Sequence, residues 1–487
     1  MSSIQMPKAD ASVLGRREQI LSGLSRALRS NSVISDEAGL RAFETDALTA
    51  YHSMPLAVVL PRTTAEVCRI LKFCHENTVR IVGRGAGTSL SGGALPTGDA
   101  VVIGLSRMNR VLDVNFLDRT ATVEAGITNL GISNAVAHAR FFYAPDPSSQ
   151  LACTIGGNIA MNSGGAHCLK YGVTTNNVLK VKMVLMNGEI AELGGDYLDP
   201  HGYDLLGLVI GSEGQFGIVT EVTVRILRQP EGARPILIGF PSTESAGGCV
   251  AAIIADGLIP VAIEFMDKPA IHVCETFAKA GYPMDAEAML IVEVEGSESE
   301  IEDQIGRITE IASRFDPTTL RVSQSEEEAA AIWKGRKSAF GAFGRISDYY
   351  CMDGVIPLGK LAAVLKQVQD VGEKHNLKVA NIFHAGDGNL HPLILYNAND
   401  EREKATAEQC GADILKLCVD AGGCLTGEHG VGIEKRDLMR YQFSEADLLQ
   451  QMRVKAAFDP QWLLNFGKVF PLDLQTRFAA EAAKNHG

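Results

Sequence analysis

A chain of 487 residues, 46% hydrophobic and 21% charged, is long enough to bury a core in each of two or three domains. Its formal net charge of −13 argues against nucleic acid or an anionic membrane surface as the main partner. Ten cysteines without a Cys-x-x-Cys pair indicate free thiols in a reducing cytoplasm and offer no ligands for an iron–sulfur cluster. With no long apolar run and no signal peptide, we expect a cytoplasmic protein.

The first half of the chain is predicted to contain short strands and helices interrupted by glycine-rich clusters. Thr63-x-x-Glu66 is a capping box that opens a helix to about Asn77. Asn187-Gly188 between two alternating runs predicts a β-hairpin with a type I′ turn. The other predicted elements here are helices at 19–28 and 132–139 and strands at 56–60, 79–82, 100–105, 111–115, 121–125, 178–186, 189–193 and 218–227.

Residues 229–235 contain two prolines and a glycine between apolar strands and predict a domain boundary. Beyond it, strands alternate with long helices, which predicts an α+β domain whose helices cover one face of a sheet. The predicted strands are 236–240, 261–266, 289–295, 349–356, 378–383 and 391–396, and the predicted helices are 243–256, 269–280, 297–314, 325–343, 358–375 and 401–421.

The first glycine cluster, residues 83–93, directly follows a short β-branched strand and contains five glycines with hydroxyl residues between them. Glycine lets the backbone approach a ligand closely, and successive amides form an anion-binding concavity. The cluster therefore predicts a cradle for phosphate or pyrophosphate, with a merely flexible loop as the alternative.

Two common phosphate-binding motifs do not fit this cluster. A P-loop needs a lysine, and none lies between Lys72 and Lys170. A dinucleotide fingerprint needs a third glycine and a following helix, whereas this chain has Leu90 and then Pro96. The NAD and ATP interpretations are disfavoured on these grounds.

A second set of residues, near the C-terminus, carries metal chemistry. His384 ends one predicted strand and His391 begins the next, so both imidazoles converge across one turn, and Glu428 adds a carboxylate. Two imidazoles and one carboxylate with open positions suit a catalytic zinc, manganese or iron(II) ion. From spacing alone, a chance pair among the eleven histidines stays an alternative.

The motifs also carry a family resemblance. Three glycine clusters are followed by Phe-His-Ala-Gly-Asp-Gly-Asn-Leu-His-Pro at 383–392 and Gly-Glu-His-Gly at 427–430. This order resembles the FAD-linked 2-hydroxy-acid oxidoreductases of the vanillyl-alcohol oxidase/PCMH superfamily, in particular the large flavin-binding subunits of bacterial glycolate oxidase (glycolate dehydrogenase). The resemblance extends from about residue 47 to residue 470.

The resemblance implies FAD as the cofactor. The first cluster would hold the pyrophosphate, the second would surround the isoalloxazine and ribityl chain, and the third would contact the adenine end. Ala94 stands where some relatives have a histidine that attaches flavin covalently, so non-covalent FAD is implied. The implied FAD-binding residues are Arg84, Gly85, Ala86, Gly87, Thr88, Ser89, Gly92, Gly93, Pro145, Asp146, Gly156, Gly157, Asn158, Ser163, Gly164, Gly217, Ile218 and Asn465.

The resemblance also implies roles in the reaction. His429 would be the general base for a 2-hydroxy acid, because histidine titrates near neutral pH. A divalent metal on His384, His391 and Glu428, zinc in first place, would lower the pKa of the substrate hydroxyl. Arg336 would bind the substrate carboxylate through its guanidinium, while Lys334, Lys337 and Arg345 would face solvent.

Two features that the sequence lacks bear on the size of the substrate and on the route of the electrons. Relatives that act on dicarboxylic 2-hydroxy acids have a lysine where this chain has Cys351, which favours a small monocarboxylate such as glycolate or D-lactate. Since the chain lacks an iron–sulfur motif, the implied partners are a second flavin-binding subunit and an iron–sulfur subunit, at the inner face of the cell membrane or in the cytoplasm. The alternatives are a D-lactate or D-2-hydroxyglutarate dehydrogenase acting alone, or a non-catalytic flavin-binding subunit.

The predicted fold class is α+β. It consists of a PCMH-type FAD-binding domain and an α+β cap, an antiparallel sheet covered by helices, inserted before a C-terminal segment. The predicted bounds are 1–229 for the FAD-binding domain, 230–425 for the substrate-binding cap and 426–487 for the segment that returns to the FAD domain.

Overall fold

The structure is a computed structural model and describes residues 4–28, 32–197 and 202–485. The outer ends of the predicted domain ranges, 1–3 and 486–487, lie outside the described residues. Two compact units divide the chain. The N-terminal unit comprises Ile4–Ser163, Val173–Arg228 and the segment from Glu428 onward, and the central unit comprises Gly164–Gly172 and Gln229–Gly427.

The N-terminal unit contains a small parallel arrangement and a larger antiparallel sheet. The four-stranded sheet has the order Val33–Ile34, Ala57–Val59, Ala100–Gly104 and Arg80–Arg84, and its last three strands are parallel. The antiparallel sheet has the order Val111–Asn115, Thr120–Glu124, Ile218–Arg225, Val178–Val184 and Ile190–Gly194, and Leu227–Arg228 pairs with Phe141–Phe142. The α-helices are Ala11–Leu14, Arg17–Ala27, Glu37–Arg41, Thr64–Glu76, Asn129–Val136, Ile155–Met161, Leu205–Val209, Met439–Gln442, Glu445–Phe458 and Leu472–Asn485.

Two local predictions in this unit can be compared with the backbone. Thr63 caps the helix Thr64–Glu76 as predicted, since its side chain accepts from the Glu66 amide. The hairpin of residues 178–194 is confirmed, but its turn is not type I′. Only Gly188 has a positive φ, of 86°, and the Leu185 amide donates to the Glu189 carbonyl at 2.8 Å. The Asn-Gly pair thus forms a longer loop with one left-handed residue.

The central unit is built on an antiparallel sheet, as predicted. Its main order is Thr319–Val322, Gly232–Phe240, Ala288–Gly296, Ala262–Asp267, Lys378–His384, Asn389–Leu390 and Gly354–Val355. Pro392–Tyr396 pairs with Lys378–His384 and with Asp348–Cys351. The α-helices are Cys168–Tyr171, Thr243–Ala255, Lys268–Ala278, Glu298–Ser313, Glu326–Lys337, Ala339–Phe343, Leu361–Lys374 and Glu401–Asp420.

Helices cover both faces of this sheet rather than the one face predicted. Leu237 and Ile291 pack in one cluster with Phe343 of the helix Ala339–Phe343. Their neighbours Ile238 and Leu290 point to the opposite face and are also fully buried. Only a sheet covered on both sides buries both sets of side chains.

Two predicted elements of the central unit are each divided. The strand predicted at 349–356 breaks at Asp353, whose backbone carbonyl and carboxylate both accept a hydrogen bond from the Gly427 amide. The helix predicted at 325–343 breaks at Ser338, whose hydroxyl donates to the Gly335 carbonyl at 2.9 Å. No helix among the described residues combines the length and apolarity that a membrane span requires.

Candidate active site

The glycine loop of the N-terminal unit presents a row of backbone donors. Within the described part of the chain, the amides of residues 85–90 have no hydrogen-bond acceptor. Within this loop Gly87 has a φ of 75°, and Gly92, two residues beyond it, has a φ of 77°. Consecutive amides without acceptors at a half-buried surface are a site for an anion. The loop therefore fits the pyrophosphate role predicted for it.

The first glycine cluster of this unit lies close to residues of the second and of the third. A Cβ at Gly85 would stand 2.2 Å from Thr154 Oγ1, at the N-cap of the helix that contains Gly156 and Gly157. A Cβ at Gly83 would stand 2.9 Å from Ile218 of the third cluster. Close approach without side chains explains why glycine occupies these positions.

Several polar side chains predicted to contact FAD form hydrogen bonds with the protein. Arg84 donates to the Thr45 carbonyl at 2.7 Å, and burial lowers the pKa of its guanidinium. Asn158 joins Asn129 at 3.1 Å, and Asn465 donates to the Glu213 carbonyl at 2.5 Å. These side chains shape the cradle, while the backbone presents the donors.

The remaining predicted FAD residues fall in both units. The Ser89 hydroxyl accepts from the Gly93 amide at 3.2 Å, within the loop. The Pro145 carbonyl accepts from Asn129 at 3.0 Å. Gly164 belongs to the central unit, whereas the others lie in the N-terminal unit. Those others are Ala86, Thr88, Asp146, Ser163 and Gly217.

Two buried charged residues hold the far end of the loop, and the sequence did not single them out for this. Lys468 donates to the Gly93 carbonyl at 2.6 Å, and Asp46 accepts from the Ala94 amide at 3.1 Å. Burial lowers the pKa of Lys468 to about 7, although the charges of Asp46 and Glu213 act in the opposite direction. A buried lysine that supports a carbonyl fixes the loop's path.

The central unit contains a buried ionic group that was predicted only in part. Glu264 Oε2 accepts from Arg336 Nε at 2.6 Å, and its Oε1 lies 2.6 Å from His384 Nδ1. Burial acts to raise the pKa of Glu264, but the charges of Arg336 and His384 prevail and lower it. The η nitrogens of Arg336 have no acceptor among the described residues. Glu264 thus orients both side chains and leaves one edge of the guanidinium available.

His391 lies next to this group. Its ring centroid is 5.2 Å from that of His384, and its Nε2 is 3.5 Å from Asp353 Oδ1. Asp353 Oδ2 accepts from Thr426 Oγ1 and, at 3.0 Å, from the Gly427 amide. Asp353 thereby fixes the backbone immediately before Glu428.

Glu428 and His429 are the next two residues of the chain, so peptide geometry keeps them near Asp353. Within the central unit, Asp353 and His391 offer a carboxylate and an imidazole as ligand atoms, and Glu428 and His429 offer the same two groups at the start of the C-terminal segment. His391 and Glu428 are two of the predicted metal ligands, and their role stays a prediction. Carboxylate and imidazole donors of this kind fit a divalent ion such as zinc or manganese.

Sequence reasoning missed Glu264 and Asp353, although one signal was present. Glu264 stands in the middle of a buried strand, Ala262–Asp267, with apolar residues on both sides, and a buried charge needs a partner. Asp353 carried no such signal, because its strand was predicted as continuous. As predicted, Lys334, Lys337 and Arg345 are exposed.

Comparisons with known proteins agree with these features. The family described as FAD linked oxidases, C-terminal domain, matches residues 229–469, and the FAD binding domain matches residues 55–194. The glycolate oxidase subunit GlcD of Escherichia coli K12 is 48% identical over 456 residues, 93% of this chain and 91% of the relative. D-lactate dehydrogenase of Anaerostipes hadrus is 31% identical over 442 residues, 88% of this chain and 92% of the relative.

A solved structure shows the same fold at low identity. p-Cresol methylhydroxylase with substrate bound superposes with a TM-score of 0.81 and 15% identity, covering 96% of this chain and 98% of that one. The PCMH-type FAD-binding fold and the α+β class are therefore confirmed, as is FAD as cofactor. The chain is a member of the FAD-linked oxidases, in the family that includes the glycolate oxidase subunit GlcD.

Proposed function

We propose that the protein oxidises a small 2-hydroxy monocarboxylate, glycolate or D-lactate, to the 2-oxo acid. The observation that carries this proposal is the Glu264 bridge between Arg336 and His384, at 2.6 Å to each. The names of two relatives, a glycolate oxidase subunit and a D-lactate dehydrogenase, support the same substrate class.

Arg336 binds the substrate carboxylate in this proposal. Its Nε is held by Glu264, and its η nitrogens remain to pair with a carboxylate in a planar arrangement. Because the side chain is only 6% exposed, water competes little for these donors. Cys351, in the apolar core of the central unit, offers no second cation, which favours a monocarboxylate over a dicarboxylate.

His429 receives the proton of the C2 hydroxyl on an imidazole nitrogen, and the C–H bond at C2 breaks as the carbonyl forms. FAD, when bound, takes up the hydride from C2. Because His384 Nδ1 is engaged by Glu264, His384 would hold a divalent ion through Nε2, and His391 and Glu428 would be the other ligands. Such an ion, when bound, lowers the pKa of the substrate hydroxyl.

The finer organisation is also part of the proposal. The FAD-binding domain comprises 1–229 with 426–487, and the cap comprises 230–425. The electrons leave through a second flavin-binding subunit and an iron–sulfur subunit, or to quinone, at the inner membrane face. The word subunit in the relative's name and the lack of a Cys-x-x-Cys pair in this sequence support this route.

The test is anaerobic titration of the FAD-loaded protein with glycolate, D-lactate, L-lactate and D-2-hydroxyglutarate, followed by the flavin absorbance. We expect bleaching with glycolate or D-lactate and none with the dicarboxylate. Bleaching by D-2-hydroxyglutarate alone would replace the proposed substrate, and no bleaching by any of them would support the non-catalytic alternative.

Replacing Arg336 by lysine tests the carboxylate role. Lysine keeps the charge but loses the planar pair of donors, so we expect the KM to rise by about tenfold or more, as for loss of a charge-assisted hydrogen bond. The matched control is Arg345→Lys, on an exposed arginine of the same unit. An equal KM in both variants would remove Arg336 from substrate binding.

A further inference from the structure

Ser91 of the flavin loop is hydrogen-bonded to the segment that follows His429. Its hydroxyl donates to the His429 carbonyl at 2.9 Å. Its own carbonyl accepts the amides of Ile433 at 2.9 Å and Glu434 at 3.3 Å. Ser91 is fully buried and lies immediately after the loop residues whose amides have no acceptor in the described chain.

The packing at this contact leaves no space for adjustment. A Cβ at Gly432 would stand 2.1 Å from the Ser91 carbonyl oxygen, and a Cβ at Gly92 would stand 2.5 Å from Ile433 Cγ1. The two backbones therefore touch directly, and a shift of the loop at Ser91 must shift the segment too.

Glu213 holds the same segment from another side. Its carboxylate accepts the amides of Val431 and Gly432, each at 2.7 Å, and it is 6% exposed. Glu213 itself has a φ of 54°, a strained conformation for a residue with a side chain. Burial raises the pKa of this carboxyl, while the two amides act to lower it. The carboxylate therefore fixes the backbone at residues 431 and 432.

We propose that Ser91 and Glu213 are positioning residues that couple FAD binding in the loop to the placement of His429. This inference rests on the proposed role of His429 as the base. FAD on the amides of residues 85–90 orders the loop, and Ser91 passes that order to the backbone of residues 429–434. By linkage, the ordered segment in turn strengthens FAD binding.

The test is amide hydrogen exchange, followed by mass spectrometry, of the full-length protein with and without FAD. In the wild type, FAD slows exchange in peptides that cover 85–90 and also in those that cover 431–434. In Ser91→Ala at saturating FAD, the effect remains at 85–90 but falls about fivefold at 431–434, the factor for one buried hydrogen bond. Glu213→Gln keeps one acceptor oxygen but turns an NH2 donor toward the other backbone amide, so the effect in the same peptides falls there too.

A kinetic measurement separates positioning from a general loss of structure. In FAD-loaded Ser91→Ala, we expect the limiting rate of flavin reduction to fall and the substrate KM to stay unchanged. The KM is unaffected because Arg336, the proposed carboxylate ligand, belongs to the central unit. The matched control is Ser133→Ala, which removes another hydroxyl of the same unit that is bonded to the backbone. The Ser133 hydroxyl accepts from the Tyr143 amide at 3.0 Å. It should leave both measurements as in the wild type.

Two results would overturn the coupling: FAD leaves exchange at 431–434 unchanged in the wild type, or Ser91→Ala keeps the full effect. His429→Asn distinguishes this inference from the proposed function. If that variant still reduces flavin with substrate while FAD still slows exchange at 431–434, His429 is not the base but the coupling stands.

Discussion

Replacing Glu264 by glutamine removes the charge on which Arg336 and His384 depend. Glu264 is 1% exposed and Arg336 is 6% exposed, so neither side chain can exchange its partner for water. Glutamine has nearly the same shape, and the variant thus isolates the charge from the packing. The guanidinium is left buried without its counter-ion.

Two considerations set the size of the effect. Breaking a buried ion pair by removing one partner costs about 3–5 kcal/mol of unfolding free energy. Counted separately, each of the two charge-assisted hydrogen bonds contributes about 1.5–3 kcal/mol. Both lead to a loss of about 4 kcal/mol in the central unit.

Chemical denaturation followed by fluorescence of Trp333, in the helix Glu326–Lys337, measures this loss. The matched control is Glu287→Gln, which breaks an ion pair with Lys268 at the same 2.6 Å but on the surface. Screening limits the control to about 1 kcal/mol or less. If both variants lose the same stability, the buried bridge does not stabilise the central unit.

Three further predictions concern the cofactor, the metal and pH. Gly85→Ala places a Cβ 2.2 Å from Thr154 Oγ1, so we expect FAD binding, measured by flavin fluorescence, to weaken by about tenfold. The control is Gly341→Ala, because a Cβ at Gly341 would meet no atom within 4 Å. His391→Ala loses bound metal in elemental analysis but keeps FAD, whereas His272→Ala keeps both; equal metal contents would exclude His391 as a ligand. Burial raises the pKa of Asp267 to about 6, above its unfolded value, so its stabilising contribution is present at low pH and is lost as pH rises through about 6. The unfolding free energy of wild type relative to Asp267→Asn should fall by about 3 kcal/mol between pH 4 and 7, and a flat difference would contradict this.

Local chemistry made much of the fold predictable. Thr63 predicts the start of its helix because its hydroxyl accepts from the Glu66 amide, three residues later. In the strand Ile218–Arg225, the alternation of apolar and polar residues predicts which face is buried. Predictions failed where a contact with a distant part of the chain determines the local structure. The strand predicted at 349–356 is broken because Asp353 bonds to Gly427, far along the chain.

In the candidate site, too, some features could be predicted from the sequence and others depend on the tertiary structure. The sequence by itself determined which chemistry is present: amide donors in a glycine loop, and the imidazoles and carboxylates of residues 384–429. Residue type and short spacing suffice for that, because these properties belong to single side chains or to a single turn. Only the tertiary structure decided the partners. Glu264 reaches His384 across 120 residues, and Ser91 reaches His429 across 338. Such pairs form only when the sheet and the loop are built, because no local pattern encodes a contact between two distant segments.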